Sequence, residues 1–184
     1  GLVDRPKIID GSTIEEGDLI IGLPSSGLHT NGYSLARKIC FEIAGLTCDD
    51  PMPGVPRSVG DALMEPHKSY AKVVQIMMRI VTIKGMAHVT GGGITDNLPR
   101  TLPKDLGAEI DLASWQVPPL FKFLQETGEV EPLEMLRTFN MGMGFLLVVS
   151  PEEAERALNT FAQTGEAGQV IGKVVAGEHK IKYT

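Results

Sequence analysis

Apolar positions along this chain fall into short runs and helical stripes that interchange from one end to the other. Asp18-Leu-Ile-Ile-Gly-Leu is a short apolar run bounded by Gly17 and Pro24, the pattern of a strand covered on both faces. A small-residue loop follows, and Thr30 or Asn31 is placed to cap a helix over 32–43, in which Leu35, Ile39 and Ile43 recur at helical spacing before Gly45. Residues 47–57, with three prolines, read as a surface loop. A short helix over 58–64 and a longer one over 69–83 come next, the second burying Tyr70, Val73, Val74, Met77 and Ile80/Val81. A strand ending at Thr90 runs into three glycines and a brief helix broken by Pro99 and Pro103. Residues 107–112 alternate as a strand, Trp115 and Pro118-Pro119 lead into a helix that runs to Gly128, and 131–139 reads as another. The strongest strand is Phe145-Leu-Leu-Val-Val, followed by a helix over 151–164 that Pro151 starts and Gly165 stops. Residues 169–175 close as a strand and 177–184 as a tail. Interspersed strands and helices predict an α/β fold, layered in the α+β sense, with a mixed β-sheet covered by helices.

The 184 residues suffice for one domain with a proper core. The division expected is 1–17 as a linker with an incoming extended piece at 7–10, and 18–184 as the folded domain. A net charge of -6 leaves no basic face for a nucleic acid. No apolar run reaches the roughly 20 residues that span a bilayer, so no membrane is expected. Cys40 and Cys48 form neither a disulfide framework nor a zinc motif, which fits a reducing cytoplasm. The chain opens Gly1-Leu2 without methionine, as a piece of a longer protein would.

Candidate chemistry gathers at three glycine-containing turns, each beside a strand end. Pro24-Ser-Ser-Gly-Leu-His-Thr-Asn leads into a helix, His88-Val-Thr-Gly-Gly-Gly leads into another, and Phe139-Asn-Met-Gly-Met-Gly precedes a strand. Ligands of open α/β sheets collect at such ends, and backbone amides beside a helix start suit an anion. One such turn alone is a weak signal, and neither GxGxxG nor GxxxxGK[ST] is present. His29 lies in a polar loop, where an imidazole can stabilise charge or move a proton, against the plainer reading of a solvated loop histidine. His88 reads as a core histidine, with ligand contact as the alternative, and His67 and His179 read as surface residues. Asn31 and Asn140 can hydrogen-bond a substrate or serve as cap and turn residues, Asp96 and Asn97 read as caps, and the methionines, Met77 and Met78 included, fit core packing.

Three long motifs, Pro24 to Lys38, His88 to Arg100 and Arg137 to Gly144, closely resemble the aminoimidazole ribonucleotide (AIR) synthetase family, the phosphoribosylformylglycinamidine cyclo-ligases. The resemblance runs from about Lys7 to Val175 and covers only the family's C-terminal domain. It implies ATP-dependent closure of formylglycinamidine ribonucleotide to AIR, ADP and phosphate, in the de novo purine pathway. It further implies ATP and Mg²⁺ as cofactors with the Mg²⁺ ligands on an N-terminal domain absent here, a homodimer formed mainly through that domain, and no activity for the fragment alone. His29 and Asn31 carry over as catalytic positions, His29 for phosphoryl or oxyanion stabilisation. Ser25, Ser26 and Gly27 carry over as the loop shaping the cleft. Thr90, Gly91, Gly92 and Gly93 carry over as a phosphate-binding turn, and Asn140 with Gly142 as a substrate-side wall. Pro66-His67-Lys68 departs from a more usual Pro-Thr-Arg. Other readings are a non-catalytic module that senses a phosphate ligand, or another ATP-using relative such as formylglycinamidine ribonucleotide synthetase or selenophosphate synthetase.

Overall fold

The computed structural model describes residues 3–184. Among them, strands β1 (Leu19–Pro24), β2 (Gly85–His88), β3 (Leu106–Ile110), β4 (Met143–Val149), β5 (Gln169–Ala176) and β6 (Ile181–Tyr183) form one sheet in the order β2-β4-β1-β5-β3-β6. All neighbours are antiparallel except β3 and β6, which run parallel. The helices are α1 (Tyr33–Arg37), α2 (Val59–Leu63), α3 (Ala71–Met77), α4 (Gly93–Asn97), α5 (Pro119–Thr127), α6 (Pro132–Thr138) and α7 (Pro151–Gln163). The mixed sheet and its helical layers are the α/β architecture expected.

The continuous apolar runs of β1 and β4 follow from burial on both faces. Ile20, Leu146 and Val148 point to one face, where they meet Ile94 of α4, Leu98 and Trp115. Ile21, Leu147 and Val149 point to the other, against Val73 and Met77 of α3 and Ala157 and Phe161 of α7. A third cluster, off the sheet, packs Val59 of α2, Phe121 and Leu124 of α5 and Met135 of α6 with Ile39 and Phe139, which follow α1 and α6. No helix is long and apolar enough to cross a membrane among the described residues.

Several expectations are corrected. Helix α1 is capped by Gly32 at φ 75, not by Thr30 or Asn31, because the Phe139 ring lies where any Cβ at this position would sit, 2.2 Å away. After Arg37 the helix widens into a π turn, Lys38–Ile43, which leaves Ile43 52% exposed and buries Ala36, Ile39 and Cys40 instead. Met78 is exposed, since α3 ends one residue earlier. The expected tail contains β6, whose pairing with β3 is a non-local contact. Residues 8–10 lie outside the sheet, following a 3-10 turn at Arg5–Lys7; residues 1 and 2 of the expected linker lie outside the described residues. Ile14, ahead of β1, is buried in the core.

One buried ion pair ties the far ends of the strands that carry the site. Asp18, 3% exposed, accepts from Lys84 Nζ at 2.8 Å and from the Glu15 amide at 2.8 Å, joining the start of β1 to the start of β2. Removing one partner of such a pair strands the other in low dielectric. Asp18→Ala and Lys84→Met are each expected to lower unfolding free energy by about 3 kcal/mol, Lys84→Met at least as much as Asp18→Ala because it leaves the more deeply buried carboxylate without its cation. Urea denaturation checks both, and a Lys84→Met variant as stable as the parent would contradict the ion pair.

Candidate active site

Strands β1 and β2 both run antiparallel to β4, so they are parallel to each other and their C-terminal ends meet where β4 begins. Pro24 lies opposite Met143 and His88 opposite Phe145. The loop after β1, the turn after β2 and the turn before β4 thus open at one end of the sheet, as three separate sequence signals anticipated.

Asn140 fastens the first loop to the third. Its Oδ1 accepts from Ser25 Oγ and from the Gly142 amide, each at 2.8 Å, and its Nδ2 donates to Gly27 O at 2.9 Å and Leu28 O at 3.3 Å. The Ser25 amide adds a bond to Gly142 O at 2.8 Å. Met141 and Gly142 reach this arrangement through left-handed backbone, φ 50 and 99. The Asn140 side chain is 2% exposed and its oxygen and nitrogen are both engaged, so it positions the loop and offers no free group to a substrate.

Asn97 does the same for the triple glycine. Its Nδ2 donates to Gly93 O at 2.8 Å and Gly91 O at 3.2 Å, and it reaches Thr90 O at 3.4 Å, while its Oδ1 accepts from Thr90 Oγ1. In trans peptides a carbonyl turned inward leaves the next amide turned outward. The amides of Gly91 and Gly92 therefore face away from Asn97, a donor pair suited to an anion. The glycines differ in what they require. A Cβ on Gly93 would lie 1.8 Å from Leu136 O and one on Gly92, at φ 99, would lie 2.6 Å from the Asp96 side chain. At Gly91 the nearest atom is Asn31 Oδ1 at 3.5 Å, which places the second turn beside the first loop.

His29 is neither solvated nor loosely held. It is 2% exposed, with a left-handed backbone at φ 59. Its Nε2 accepts from the Ser26 amide at 3.1 Å, which puts the proton of the neutral ring on Nδ1. Gly144 gives the ring its room, since a Cβ there would lie 2.5 Å from His29 Cε1 and 2.2 Å from Tyr70 Oη. Burial first, then repulsion by the neighbouring His67, His88 and Lys68, pushes the His29 pKa down to about 4. Three buried side-chain atoms lack a hydrogen-bond partner among the described residues, and two of them are His29 Nδ1 and Asn31 Nδ2. Unpaired buried donors are costly, and such groups concentrate where function holds them.

His67, read as a surface residue, and His88, read first as a core histidine, lie together at this site. His67 stacks on His29 with ring centroids 4.0 Å apart, and its Nε2 lies 3.0 Å from His88 Nε2. His88 is exposed at the end of β2 and is not a core residue. The Ser26 hydroxyl, by donating to Pro66 O at 2.7 Å, draws the His67 segment over the loop. Tyr70, buried beneath, donates to Pro24 O at 2.9 Å, and burial raises its phenol pKa. No periodicity marks His67; the one signal was that His67 departs from the family pattern. His179 stays bland, exposed and bonded to Pro103 O. Two cavities border the site, the first against the loop and the second against His88. One of about 290 Å³ is bordered by Ser25, Ser26, Gly27, Arg57 and Phe121, and one of about 350 Å³ by Lys68, Tyr70, Met86, His88 and Phe145.

Residues 15–183 match the family described as AIR synthase related protein, C-terminal domain. The chain belongs to this family. Its curated relatives include the phosphoribosylformylglycinamidine cyclo-ligases of Geotalea daltonii, 48% identical over 95% of this chain and 50% of that protein, and of Geobacillus kaustophilus, 46% identical over 96% and 51%. The chain thus spans about half the length of the relatives it matches. Among solved structures, thiamine-monophosphate kinase from Stenotrophomonas maltophilia superposes with a TM-score of 0.63 at 12% identity, over 98% of this chain and 54% of that one. E. coli HypE, a hydrogenase maturation protein, superposes at 0.60 and 19% over 94% and 48%, and T. maritima PurL complexed with FGAR at 0.57 and 17% over 94% and 26%. At these identities the AIR synthase-like fold is what is shared.

Two outcomes test this geometry. Asn140→Ala leaves Ser25, the Gly142 amide and two carbonyls without their partner, and is expected to lower stability by roughly 2 kcal/mol while broadening the amide resonances of residues 25–29; an unaltered loop spectrum would contradict the clamp. The unfolded chain takes a proton on His29 as pH falls through about 6.5, whereas the folded ring resists until about 4. The stability carried by the neutral ring is therefore complete above the first value and lost across that window. Imidazole NMR titration should show His29 neutral with Nδ1 protonated at pH 6, and a midpoint near 6.5 would overturn the assignment.

Proposed function

We propose that this chain is the C-terminal half of an ATP-dependent cyclo-ligase that converts formylglycinamidine ribonucleotide to AIR, ADP and phosphate in cytoplasmic purine biosynthesis. The observation that carries this reading is the pair of unpartnered buried donors, His29 Nδ1 beside Gly144 and Asn31 Nδ2 on the side chain that reaches Gly91. The cyclo-ligase names of relatives 46–48% identical support the reaction class.

An amide oxygen is a poor leaving group, and ATP supplies the phosphoryl group that makes it a good one. The residues of this chain bind and stabilise. His29 Nδ1–H donates to the formyl oxygen as negative charge gathers on it, with Ser26 fixing the tautomer from behind. Asn31 Nδ2 provides a second donor next to Gly91. Both are oriented by the loop before substrate arrives but are covered in this state, so the loop opens to admit the formyl oxygen. The Thr90–Gly93 turn fits a phosphate group through the Gly91 and Gly92 amides, and Ser25, Ser26 and Gly27 border the substrate cavity. Asn140 and Gly142 act behind this surface by holding the loop.

Mg²⁺ does not fit the donors present. The one cluster of potential metal ligands among the described residues is three imidazoles, whereas Mg²⁺ takes carboxylate and water oxygens. We assign Mg²⁺ and the remaining ATP contacts to the N-terminal half, along with most of the homodimer interface. Residues 1–17 then carry the chain from that half into the domain of 18–184.

Three outcomes follow in steady-state kinetics. The 184 residues alone are expected to be inactive, and turnover by the purified chain would remove the need for a second half. In the complete enzyme His29→Ala should lower kcat by about 10² or more, the scale of losing one oxyanion donor; wild-type turnover would sink its role. The phosphate turn is tested at Gly91, because substitution at Gly92 or Gly93 would disturb the backbone. Gly91→Val should raise the KM for ATP or the ribonucleotide with little loss of stability, and unchanged KM values would take the turn out of the site.

A further inference from the structure

We propose that His67, His88 and His29 form a binding site for a divalent transition-metal ion of the Zn²⁺, Ni²⁺ or Cu²⁺ type. One nitrogen from each of the three lies within 4.8 Å of the other two. His67 Nε2 and His88 Nε2 are already 3.0 Å apart. Two imidazole ligands on a tetrahedral Zn²⁺ at about 2.05 Å sit roughly 3.3 Å from each other, so an ion enters between this pair by a shift of a few tenths of an ångström. In the apo pair a single proton bridges the two nitrogens, and the metal replaces it.

His29 is the third ligand through Nε2, its lone-pair nitrogen, which at present accepts a long 3.1 Å bond from the Ser26 amide. Because its ring is stacked on His67 at 17° and 4.0 Å, it must turn out of that stack and give up the Ser26 donor to aim this lone pair at the ion. The approach is graded, with His88 exposed, His67 half-buried and His29 buried, so the ion enters from the β2 side and water or an anion takes the fourth position. The His67 Nδ1 faces Thr30 Oγ1 at 3.4 Å, a partner that orients the ring from the far side. The nearest cation, Lys68, is neutralised by Glu166 at 2.5 Å. An all-imidazole donor set with neither carboxylate nor thiolate selects borderline transition metals over Mg²⁺ and Ca²⁺. The site depends on His67, the position at which the chain departs from the Pro-Thr-Arg pattern of the family it resembles. It stands on this geometry whether or not the cyclo-ligase reading holds.

The test is Co²⁺ titration of the tag-free 184-residue chain, followed by visible absorption, with Zn²⁺ and Mg²⁺ as competitors and folding verified by circular dichroism. One equivalent of Co²⁺ should bind with the intense bands of a low-coordinate nitrogen site, Zn²⁺ should displace it, and excess Mg²⁺ should not. His67→Gln and His88→Gln, on exposed or half-buried side chains, should each weaken binding at least about tenfold, and His29→Gln should weaken it as well. His179→Gln should bind as the parent does. A folded parent that binds no Co²⁺, or His67→Gln and His88→Gln variants that bind it undiminished, would overturn the site. Undiminished binding by His29→Gln would overturn the three-nitrogen assignment.

Discussion

The hydrogen bonds of the Asn140 side chain are the constraint on which the site depends. Strand pairing brings the ends of β1, β2 and the start of β4 together, but it does not shape the loop between Pro24 and Asn31. That shape comes from one buried amide, which accepts from Ser25 and Gly142 and donates to Gly27 and Leu28. With the loop so held, the Ser26 amide meets His29 Nε2 and the Ser26 hydroxyl meets Pro66. The tautomer of His29, the stacking of His67 and the reach of both toward His88 follow from that placement. A loop whose polar groups bond one another can keep two donors unpaired, because reorganising to satisfy them would break several good bonds.

The same architecture explains which parts of the fold the sequence disclosed. β1, β4 and α7 were legible because their evidence is local: apolar runs of strand length, and a helix bounded by Pro151 and Gly165. β6 was not, since its three residues gain strand character only from pairing with β3. The start of α1 was misread for a similar reason. Thr30 and Asn31 have the right side chains for a cap, yet the Phe139 ring, more than a hundred residues away in sequence, admits only a glycine at the preceding position.

The site was half legible. The three turns were visible as glycine clusters at strand ends, and their convergence is what the antiparallel pairing of β1 and β2 with β4 produces. Individual roles were harder. Asn140 stood out as a polar residue in a motif, but only its bonding separates a loop clamp from a substrate contact. Gly92 and Gly93 looked equivalent to Gly91, and only their neighbours reveal that packing requires two of the three. His67 lies in a polar stretch without periodicity, and its meeting with His29 and His88 is a product of tertiary structure alone.

His29 Nδ1 and Asn31 Nδ2 are buried without a partner among the described residues, and the cyclo-ligase reading proposed above makes them donors to the substrate. The most direct measurement is a crystal structure of the full-length enzyme with formylglycinamidine ribonucleotide and a non-hydrolysable ATP analogue. The account predicts the formyl oxygen within about 3 Å of His29 Nδ1, with Asn31 Nδ2 bonded to the same substrate or to a phosphate held at Gly91. A bound substrate that leaves both nitrogens without a partner would contradict it.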